Sequence, residues 1–349
     1  MDIVFSARQL VHRPQQYGVH GRLVRPLENP DRAETLVQRL TGLGLSVIEP
    51  RDFGRAVIEA VHADHYVTFL ESAYERFQAL PNAGPEVLPN VHPYSTPAPH
   101  LASRPAPRTQ GILGQAGWYI GDLSCAMGEG TYSAIYHSAM SAATAAEQVS
   151  QGAASAFALC RPPGHHAYAD RATGFCFLNN AAIAAQRLRG SFSKVAIIDF
   201  DTHHGDGTQS IFYRRDDVFV GSVHTDPTSY YPHYYGYGDE RGEGEGEGFN
   251  YNLPLATGSG DDDYVLAVAE LLSAAKGFGA EALVVSAGWD AHRDDPLSRL
   301  NVTSEAYPRI GGLFGKAGLP TVIVQEGGYS LAAVAECAPA FTEAFLAAS

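Results

Sequence analysis

Alternating acidic and imidazole side chains follow an apolar run in the segment IDFDTHHGDG. In extended chain, alternate residues face the same way, so Asp199, Asp201 and His203 share one side. Carboxylate and imidazole groups bind zinc-like divalent cations, and three protein ligands plus a water make a catalytic zinc site. We predict that Asp201 and His203 supply two of these ligands and that Asp290, in SAGWDAH, supplies the third.

Asp199 lies deeper in the apolar run than Asp201 and needs a role of its own. A buried carboxylate is costly unless it is paired or bound to a cation. Asp199 is therefore expected to orient a histidine, to hold a second, monovalent ion through its oxygens, or to do both. Taken alone, an aspartate at a strand end is usually a helix cap, but this combination of residues favours a metal site.

Two further motifs carry groups that suit catalysis. RPPGHHA places His165 and His166 side by side on a turn shaped by proline and glycine. A lone histidine is more often a core or surface residue, but an irregular turn can aim both rings at one target. EGGY ends an apolar run with two glycines and Tyr329. The glycines permit close approach of the backbone to a ligand, and the Tyr329 hydroxyl can donate to an oxyanion.

Short apolar runs alternate with helical segments along the chain. The predicted strands are Asp2–Phe5, Ser46–Glu49, Ser155–Cys160, Val195–Phe200, Val218–Val223, Ala282–Ala287 and Thr321–Gln325. The predicted helices are Asp31–Leu43, His65–Ala79, Thr131–Gln151, Leu178–Arg189, Asp262–Phe278, Ser304–Ala317 and Leu331–Leu346. Most of these strands are apolar throughout, as expected where both faces are covered. The alternation predicts an α/β fold with a mostly parallel sheet wrapped by helices.

The titratable residues follow the ends of four predicted strands. Val195–Phe200 leads into Asp201 to Asp206, Ala282–Ala287 into Asp290, Ser155–Cys160 into the tandem histidines, and Thr321–Gln325 into Tyr329. In open α/β sheets, ligands bind beyond the carboxyl ends of the strands. The four clusters are therefore expected to converge on one site.

Two segments depart from the alternation. Residues Pro81 to Gly117 are rich in Pro, His, Ser and Gly without clear periodicity, and so long a loop is usually functional or part of an interface. The tract Gly236–Gly248, GYGDERGEGEGEG, is a mixture of glycine and acids. Its composition predicts a solvated loop.

Composition narrows the range of partners. The formal net charge of -14 repels phosphate backbones, so no nucleic-acid partner is expected. The four cysteines are far apart in the sequence, which indicates reduced, mostly buried thiols. The first residues, MDIVFSARQL, lack a signal-peptide pattern, and no stretch approaches the ~20 apolar residues of a membrane span. We therefore expect a soluble, cytoplasmic protein that does not bind membranes.

Other catalytic patterns do not occur in the sequence. GxSxG, HExxH, GxGxxG and phosphate-binding loop motifs are missing. A cysteine nucleophile is conceivable at Cys160 or Cys176. Both lie in apolar segments, which would raise the thiol pKa and disfavour the thiolate.

Five motifs together resemble the histone deacetylase / acetylpolyamine amidohydrolase family. They are, in the family's order, RPPGHHA, GFCFLNNAAIAA, IDFDTHHGDGTQ, SAGWDAHRDDPL and EGGY, and the earlier VHADHYVTFL and GTYSAIYHSAMSAA also look like it. The resemblance covers nearly the whole chain. It implies one domain over residues 1–349 with the arginase/deacetylase fold, a three-layer α/β/α arrangement around a mostly parallel sheet, with a long loop insertion at about 81–117.

The resemblance also assigns roles, carried over motif by motif. Zinc would be bound by Asp201, His203 and Asp290, His165 would assist electrostatically, His166 would act as general base and then acid, and Tyr329 would bind the substrate carbonyl. Asp199 and Asp206 would be the partners of the two histidines. A structural potassium ion would sit beside Asp199, Asp201, His203, Ser222 and Val223, partly through backbone oxygens. Phe175 and Tyr231 would form the walls of a substrate tunnel.

Among the branches of the family, the chain looks closest to the bacterial acetylpolyamine amidohydrolases. In that group an insertion like Pro81–Gly117 helps to form a homodimer that narrows the active-site mouth. Polyamine-selective relatives carry acids near the mouth, and two of those positions fall on Leu113 and Ser124 here. Asp122 is the candidate contact for a cationic amine in their place.

The implied reaction is zinc-dependent hydrolysis of the acetamide of acetylated polyamines, or of similar small N-acetylated amines, to acetate and the free amine. The alternative is a protein or peptide acetyl-lysine deacetylase that uses the same site. A binding protein with a degenerate site would need a lost ligand or a lost tyrosine, and this chain keeps them all. Iron(II) could occupy the same ligands as zinc.

Overall fold

Eight parallel strands run through the centre of the computed structural model, which describes residues 1–93 and 104–349. The strand order is β4-β1-β5-β10-β9-β6-β7-β8, where the strands are β1 (Asp2–Val4), β4 (Ser46–Ile48), β5 (Ser155–Ala158), β6 (Val195–Asp199), β7 (Val218–Thr225), β8 (Asn250–Leu255), β9 (Ala282–Ala287) and β10 (Thr321–Gln325). A separate antiparallel pair joins β2 (Tyr17–Val19) and β3 (Arg22–Val24).

Ten helices are present in the described residues: α1 (Pro30–Thr41), α2 (Ala56–Glu59), α3 (Asp64–Gln78), α4 (Ile112–Tyr119), α5 (Thr131–Ser150), α6 (Asn180–Leu188), α7 (Asp206–Phe212), α8 (Asp261–Phe278), α9 (Ala306–Ala317) and α10 (Leu331–Ala348). Two short 3-10 helices span Ala7–Val11 and Gly244–Gly246. Helices α1, α8, α9 and α10 cover one face of the sheet, and α5, α6 and α7 cover the other. The result is the predicted three-layer α/β/α arrangement.

Alternate strand residues pack into two different cores. Ile198, Val285 and Ile323 join the cluster on the α8–α10 side, whereas Ile197 and Val284 join the cluster on the α5–α6 side. Since both faces of the strands are buried, an unbroken apolar run is stabilising at these positions. This arrangement explains why the strands lack an alternating polar pattern.

All seven predicted strands occur in the structure, with ends that differ by a few residues. The sequence analysis missed β8, an edge strand whose Asn250 and Pro254 are atypical of a buried strand but tolerated at an edge. It also missed the β2–β3 hairpin and the short helices α2 and α7. Helix α6 begins at Asn180, later than predicted, because the side chain of Asn179 caps it by accepting from the Ala182 amide at 2.9 Å.

The described parts of the two irregular segments contain more regular structure than their composition indicated. The prediction of a loop over Pro81–Gly117 is wrong at its end, where α4 begins at Ile112, and residues 94–103 of this prediction lie outside the described residues. In the Gly236–Gly248 tract, Gly246 is buried and Glu240 accepts hydrogen bonds from the Gly236 amide and from Gln209. The predicted solvation of this tract is therefore confirmed only at its exposed residues.

One helix among the described residues, α10, is long and apolar enough to cross a membrane by length and composition. In the fold it packs against α9 and α1. Val334, Cys337, Phe341 and Phe345 are buried in the core on the α8–α10 side of the sheet. This packing is typical of a core helix.

Candidate active site

The four strands that carry the polar clusters are consecutive neighbours in the sheet, in the order β5-β10-β9-β6. Asp199 at the end of β6 pairs in register with Ser286 of β9, and Ala287 pairs with Gln325 of β10. The residues that follow these strands therefore leave the sheet at one edge. The predicted convergence on one site is correct.

Asp201, His203 and Asp290 form a buried cluster at this edge. The Nδ1 atom of His203 lies 3.0 Å from Asp201 Oδ1 and 3.2 Å from Asp290 Oδ2. Ligands about 2.0 Å from a tetrahedral ion lie about 3.3 Å from one another. The other ring nitrogen, Nε2, faces the Tyr230 hydroxyl at 2.8 Å, so Nδ1 is the nitrogen left for a metal ion.

Backbone amides hold the outer oxygens of both carboxylates. Gly327 N–H donates to Asp201 Oδ2 at 2.8 Å, and Thr202 N–H donates to Asp290 Oδ1 at 3.1 Å. Asp290 Oδ2 is buried and accepts no hydrogen bond from the described residues. Burial and the charge of Asp201 raise the pKa of Asp290 to about 7. A divalent cation would relieve this buried negative charge, and the donor set fits one.

Two glycines make room for these carboxylates. A Cβ atom added at Gly288 would lie 2.2 Å from Asp201 Oδ2, and one added at Gly327 would lie 2.1 Å from Asp290 Oδ2. A side chain at Gly288 would displace the Asp201 carboxylate through its outer oxygen, and one at Gly327 would displace the Asp290 oxygen that faces His203 Nδ1. The sequence analysis gave Gly327 a role in close approach but did not single out Gly288.

The tandem histidines each bind a different carboxylate. His165 Nδ1 lies 2.9 Å from Asp199 Oδ2, and His166 Nδ1 lies 2.7 Å from Asp206 Oδ1. Burial lowers the pKa of His165, but the charges of Asp199 and Asp201 outweigh it and raise this pKa well above the usual value. Burial and the adjacent His165 lower the pKa of His166 to about 4. The surroundings of His165 therefore favour its charged form, whereas those of His166 favour its neutral form.

Hydrogen bonds to the backbone of Tyr329 and of the residues before it fix the position of this side chain. Its amide donates to Asp295 Oδ2 at 2.6 Å, and the guanidinium of Arg32 donates to the carbonyls of Glu326 at 2.7 Å and Gly328 at 2.5 Å. Sequence reasoning missed both Arg32 and Asp295. Asp295 lies within the quoted SAGWDAHRDDPL motif, whereas Arg32 lies far away in the sequence, in RPLENPDRAE, a segment that resembles the bacterial relatives but gave no role for this residue.

A cavity of about 380 Å³ leads to the cluster and is lined by His166, His203, Phe175, Tyr231 and Tyr329, with Asp122 and Arg299 also on its walls. The ring centroid of Phe175 lies 5.0 Å from that of Tyr17 and 5.8 Å from that of Tyr329. The Tyr231 ring stands perpendicular to His166 at 5.0 Å. The sequence analysis placed Phe175 and Tyr231 here but missed Tyr17, Tyr230, Leu297 and Arg299.

Comparison with known proteins agrees with this geometry. A family model described as the histone deacetylase domain matches residues 26–345. The chain belongs to the histone deacetylase family. It is accordingly an enzyme that hydrolyses amides.

Several members of the family resemble the chain over nearly its full length. It is 46% identical to the acetylpolyamine amidohydrolase of Burkholderia pseudomallei over 98% of this chain and 97% of that protein. It is 44% identical to acetylpolyamine amidohydrolase 1 of Pseudomonas aeruginosa over 95% and 94% of the two chains. A crystal structure of the Burkholderia pseudomallei acetylpolyamine aminohydrolase matches with a TM-score of 0.93 at 45% identity, covering 99% of this chain and 98% of that one. The predicted fold and family are confirmed.

Asp122 lies on the cavity wall with both carboxylate oxygens engaged. Oδ1 accepts from the amide and hydroxyl of Ser124, and Oδ2 accepts from the Gly174 amide at 3.1 Å and the Tyr231 hydroxyl at 2.8 Å. Ser124 lines the cavity beside it, whereas Leu113 lies on α4 and is not among the lining residues. Asp122 therefore holds the wall together in addition to any contact with an amine.

Ser222 and Val223, expected beside a potassium ion, are buried on β7. Ser222 pairs in register with Asp199 across the β6–β7 ladder, and its hydroxyl lies 2.8 Å from His224 Nδ1. The two residues therefore lie next to the Asp199–His203 segment. Ion binding there stays a prediction.

The cysteines named as alternative nucleophiles are poorly suited to that role. Cys160 and Cys176 are both buried, and burial raises the pKa of both thiols well above the usual value. A thiolate is the reactive form. The argument against a cysteine nucleophile is therefore confirmed.

Proposed function

We propose that this chain is a zinc-dependent deacetylase that hydrolyses the acetamide of acetylated polyamines, or of similar small N-acetylated amines, to acetate and the free amine. The observation that carries the proposal is the pairing of His165 and His166 with separate carboxylates beside the Asp201–His203–Asp290 cluster. The names of the full-length relatives support the polyamine substrate.

The proposed metal ligands are Asp201 and Asp290 through one oxygen each and His203 through Nδ1. Zinc suits this set of carboxylate and imidazole donors, and iron(II) is the competing ion. When bound, such an ion polarises a carbonyl and lowers the pKa of water. We also propose a structural potassium ion beside Asp199, Asp201, His203, Ser222 and Val223, because these residues are buried and Ser222 pairs in register with Asp199.

His166 is the proposed general base. Its lowered pKa leaves the ring neutral at physiological pH, so it can accept the proton of the attacking water. Asp206 fixes Nδ1 of this ring, which leaves Nε2 for the reaction. The charges of Asp199 and Asp201 raise the pKa of the neighbouring His165 against the effect of burial, and its charged form would supply positive charge to the developing oxyanion.

Tyr329 is the proposed oxyanion donor. Burial raises the pKa of its phenol well above the usual value, so the hydroxyl stays protonated and can donate. Water adds its oxygen to the acetamide carbon, the carbon–nitrogen bond breaks, and the proton taken by His166 passes to the departing amine. Acetate and the free amine leave the site, and the enzyme returns to its starting protonation state.

The narrow aromatic cavity supports a slender, linear substrate. Phe175, Tyr231 and Tyr329 present rings to an alkyl chain, and burial of apolar surface stabilises such contacts. An acetylated lysine peptide carries the same acetamide group on an alkyl chain as an acetylated polyamine does. Discrimination between the two substrates therefore depends on groups at the mouth of the cavity. The relatives' names favour the small amine.

The deciding experiment is steady-state kinetics on the zinc-loaded enzyme with acetylputrescine, other acetylated polyamines, acetylcadaverine, acetyl-lysine and acetyl-lysine peptides. We expect the highest kcat/KM among the small acetylated amines, and loss of turnover in His166→Ala. Higher kcat/KM on peptides would replace the polyamine proposal by the peptide one. No turnover of any acetamide by metal-loaded protein would overturn the proposed function.

The domain organisation, oligomeric state, location and partners of the enzyme are also proposals. We propose one catalytic domain over residues 1–349, a homodimer with the 81–117 segment at its interface, a cytoplasmic location, and no nucleic-acid or membrane partner. The net charge of -14 supports the exclusion of nucleic acid. A monomer at micromolar concentration in analytical ultracentrifugation would contradict the homodimer.

A further inference from the structure

Tyr168 lies two residues after His166, and both side chains contact the carboxylate of Asp206, each at a different oxygen. Its hydroxyl donates to Asp206 Oδ2 at 2.8 Å, while His166 Nδ1 lies 2.7 Å from Asp206 Oδ1. Asp206 is 5% exposed and Tyr168 is 6% exposed. A buried carboxylate needs a donor on each oxygen to avoid a large loss of free energy. In the described residues, His166 lies within hydrogen-bond distance of one Asp206 oxygen and Tyr168 donates to the other.

The Tyr168 ring is itself held in place. The guanidinium carbon of Arg171 lies 4.4 Å from its centroid, and the Tyr168 amide donates to the Arg171 carbonyl at 2.9 Å. The carbonyl of Tyr168 contacts His62 Nδ1 at 3.1 Å. With ring and backbone both fixed, the hydroxyl has a defined position relative to Asp206.

Tyr168 and Asp206 also line a small cavity of about 40 Å³, together with residues that include Gln209, Ser210, Tyr235 and Glu240. The space is sufficient for one water molecule. If the Tyr168 hydroxyl were removed, the freed Asp206 oxygen would face this cavity and the carboxylate would be free to turn toward it. The His166 ring would then lose its fixed orientation.

We propose that Tyr168 is a positioning residue that fixes the Asp206 carboxylate and through it the orientation of His166. This inference rests on the proposed function, since it assigns Tyr168 a part in the work of the proposed general base. Burial raises the pKa of the Tyr168 phenol well above the usual value, so the group remains a donor throughout the working pH range. The effect of Tyr168 is expected on the chemical step and not on substrate binding, because Tyr168 is not among the residues that line the larger cavity.

The test compares Tyr168→Phe with Tyr235→Phe in the zinc-loaded enzyme. Both changes remove one hydroxyl and keep the ring, and the two rings are neighbours with centroids 6.4 Å apart at the same small cavity. Loss of a hydrogen bond to a charged group predicts that kcat for acetylputrescine falls about tenfold in Tyr168→Phe. KM and zinc content are expected to stay at wild-type values, while the melting temperature falls because the buried Asp206 carboxylate loses a donor. Tyr235→Phe is expected to retain kcat within twofold.

A double-mutant cycle separates positioning from general packing. If Tyr168 acts through Asp206, adding Tyr168→Phe to Asp206→Ala should reduce kcat by less than a further twofold. A full tenfold further loss in that background would overturn the inference, as would a Tyr168→Phe enzyme within twofold of Tyr235→Phe. Wild-type turnover of acetylputrescine in the same assay keeps these results separate from a failure of the proposed function, which would show as no turnover before any variant is compared.

Discussion

The guanidinium carbon of Arg32 lies 4.6 Å from the centroid of the Tyr329 ring. The same guanidinium donates to the carbonyls of Glu326 and Gly328, and Glu28 holds it at 3.1 Å. One buried cation on α1 therefore fixes both the ring and the backbone of the residue proposed to bind the oxyanion. Lysine cannot reproduce this planar set of donors.

We expect Arg32→Lys to lower kcat by about 10- to 100-fold, because a small displacement of Tyr329 weakens its donation to the oxyanion. Zinc content should stay at one ion per chain. The matched control is Arg39→Lys on the exposed face of the same helix, which should leave kcat unchanged. Equal kinetics for the two variants would show that Arg32 does not position Tyr329.

Removal of the Tyr329 hydroxyl tests the oxyanion role directly. Tyr329→Phe is expected to lose ~10²–10³-fold in kcat, the cost of deleting one oxyanion donor. Metal analysis should still find one zinc per chain, because Tyr329 is not among the proposed ligands. A variant within threefold of the wild type would mean that Tyr329 is only a wall of the cavity.

The crowding at Gly288 predicts a loss of metal from a single added methyl group. A Cβ at this position meets Asp201 Oδ2 at 2.2 Å, so Gly288→Ala should bind zinc at least about tenfold more weakly as its ligand is displaced. Gly312→Ala on α9 is the control, since a Cβ there meets no atom within 4 Å. Zinc titration of chelator-stripped protein measures the zinc affinity of both variants.

Removal of the metal from the wild type tests the proposed cofactor itself. Chelator-stripped wild-type protein should be inactive and regain activity when zinc is added. Full activity without metal would contradict the proposed cofactor.

The residues of the site could be predicted because each follows a strand whose apolar run is visible in the sequence. Asp201 and Asp290 stand at the ends of β6 and β9, and parallel strands deliver such residues to one edge. Arg32 could not be predicted in this way, because its contacts with Gly328 and Glu326 join segments almost 300 residues apart. Edge strand β8 and short helix α7 were missed because their stability comes from tertiary contacts rather than from local pattern.

The mouth of the cavity carries conflicting charges. Asp122, the candidate contact for a cationic amine, already accepts four hydrogen bonds. Arg299 is exposed, lines the same cavity, and forms no ion pair with any residue in the described ranges 1–93 and 104–349. A cationic substrate therefore meets one engaged carboxylate and one free guanidinium. Ser124, where polyamine-selective relatives were expected to carry an acid, adds no charge.

We therefore expect acetylated polyamines to be hydrolysed with weak discrimination for positive charge. The measurement compares kcat/KM for acetylputrescine with that for a neutral acetamide of equal length. Exposed ion pairs contribute only ~0–1 kcal/mol, so the preference for the cation should be below about tenfold. Arg299→Gln should raise kcat/KM for acetylputrescine by about two- to fivefold by removing repulsion, and leave the neutral amide unchanged.

Asp122→Ala should have the opposite and larger effect. It removes the attraction for the amine, and it also frees the Tyr231 hydroxyl and the Gly174 amide, which loosens the cavity wall. Asp122→Asn is the finer variant, because it removes the charge and keeps an oxygen that can accept hydrogen bonds. If Asp122 contacts the amine, Asp122→Asn lowers kcat/KM for acetylputrescine more than for the neutral amide. Equal losses on both substrates would show that Asp122 only supports the wall, and a wild-type preference for the neutral amide would overturn the polyamine assignment.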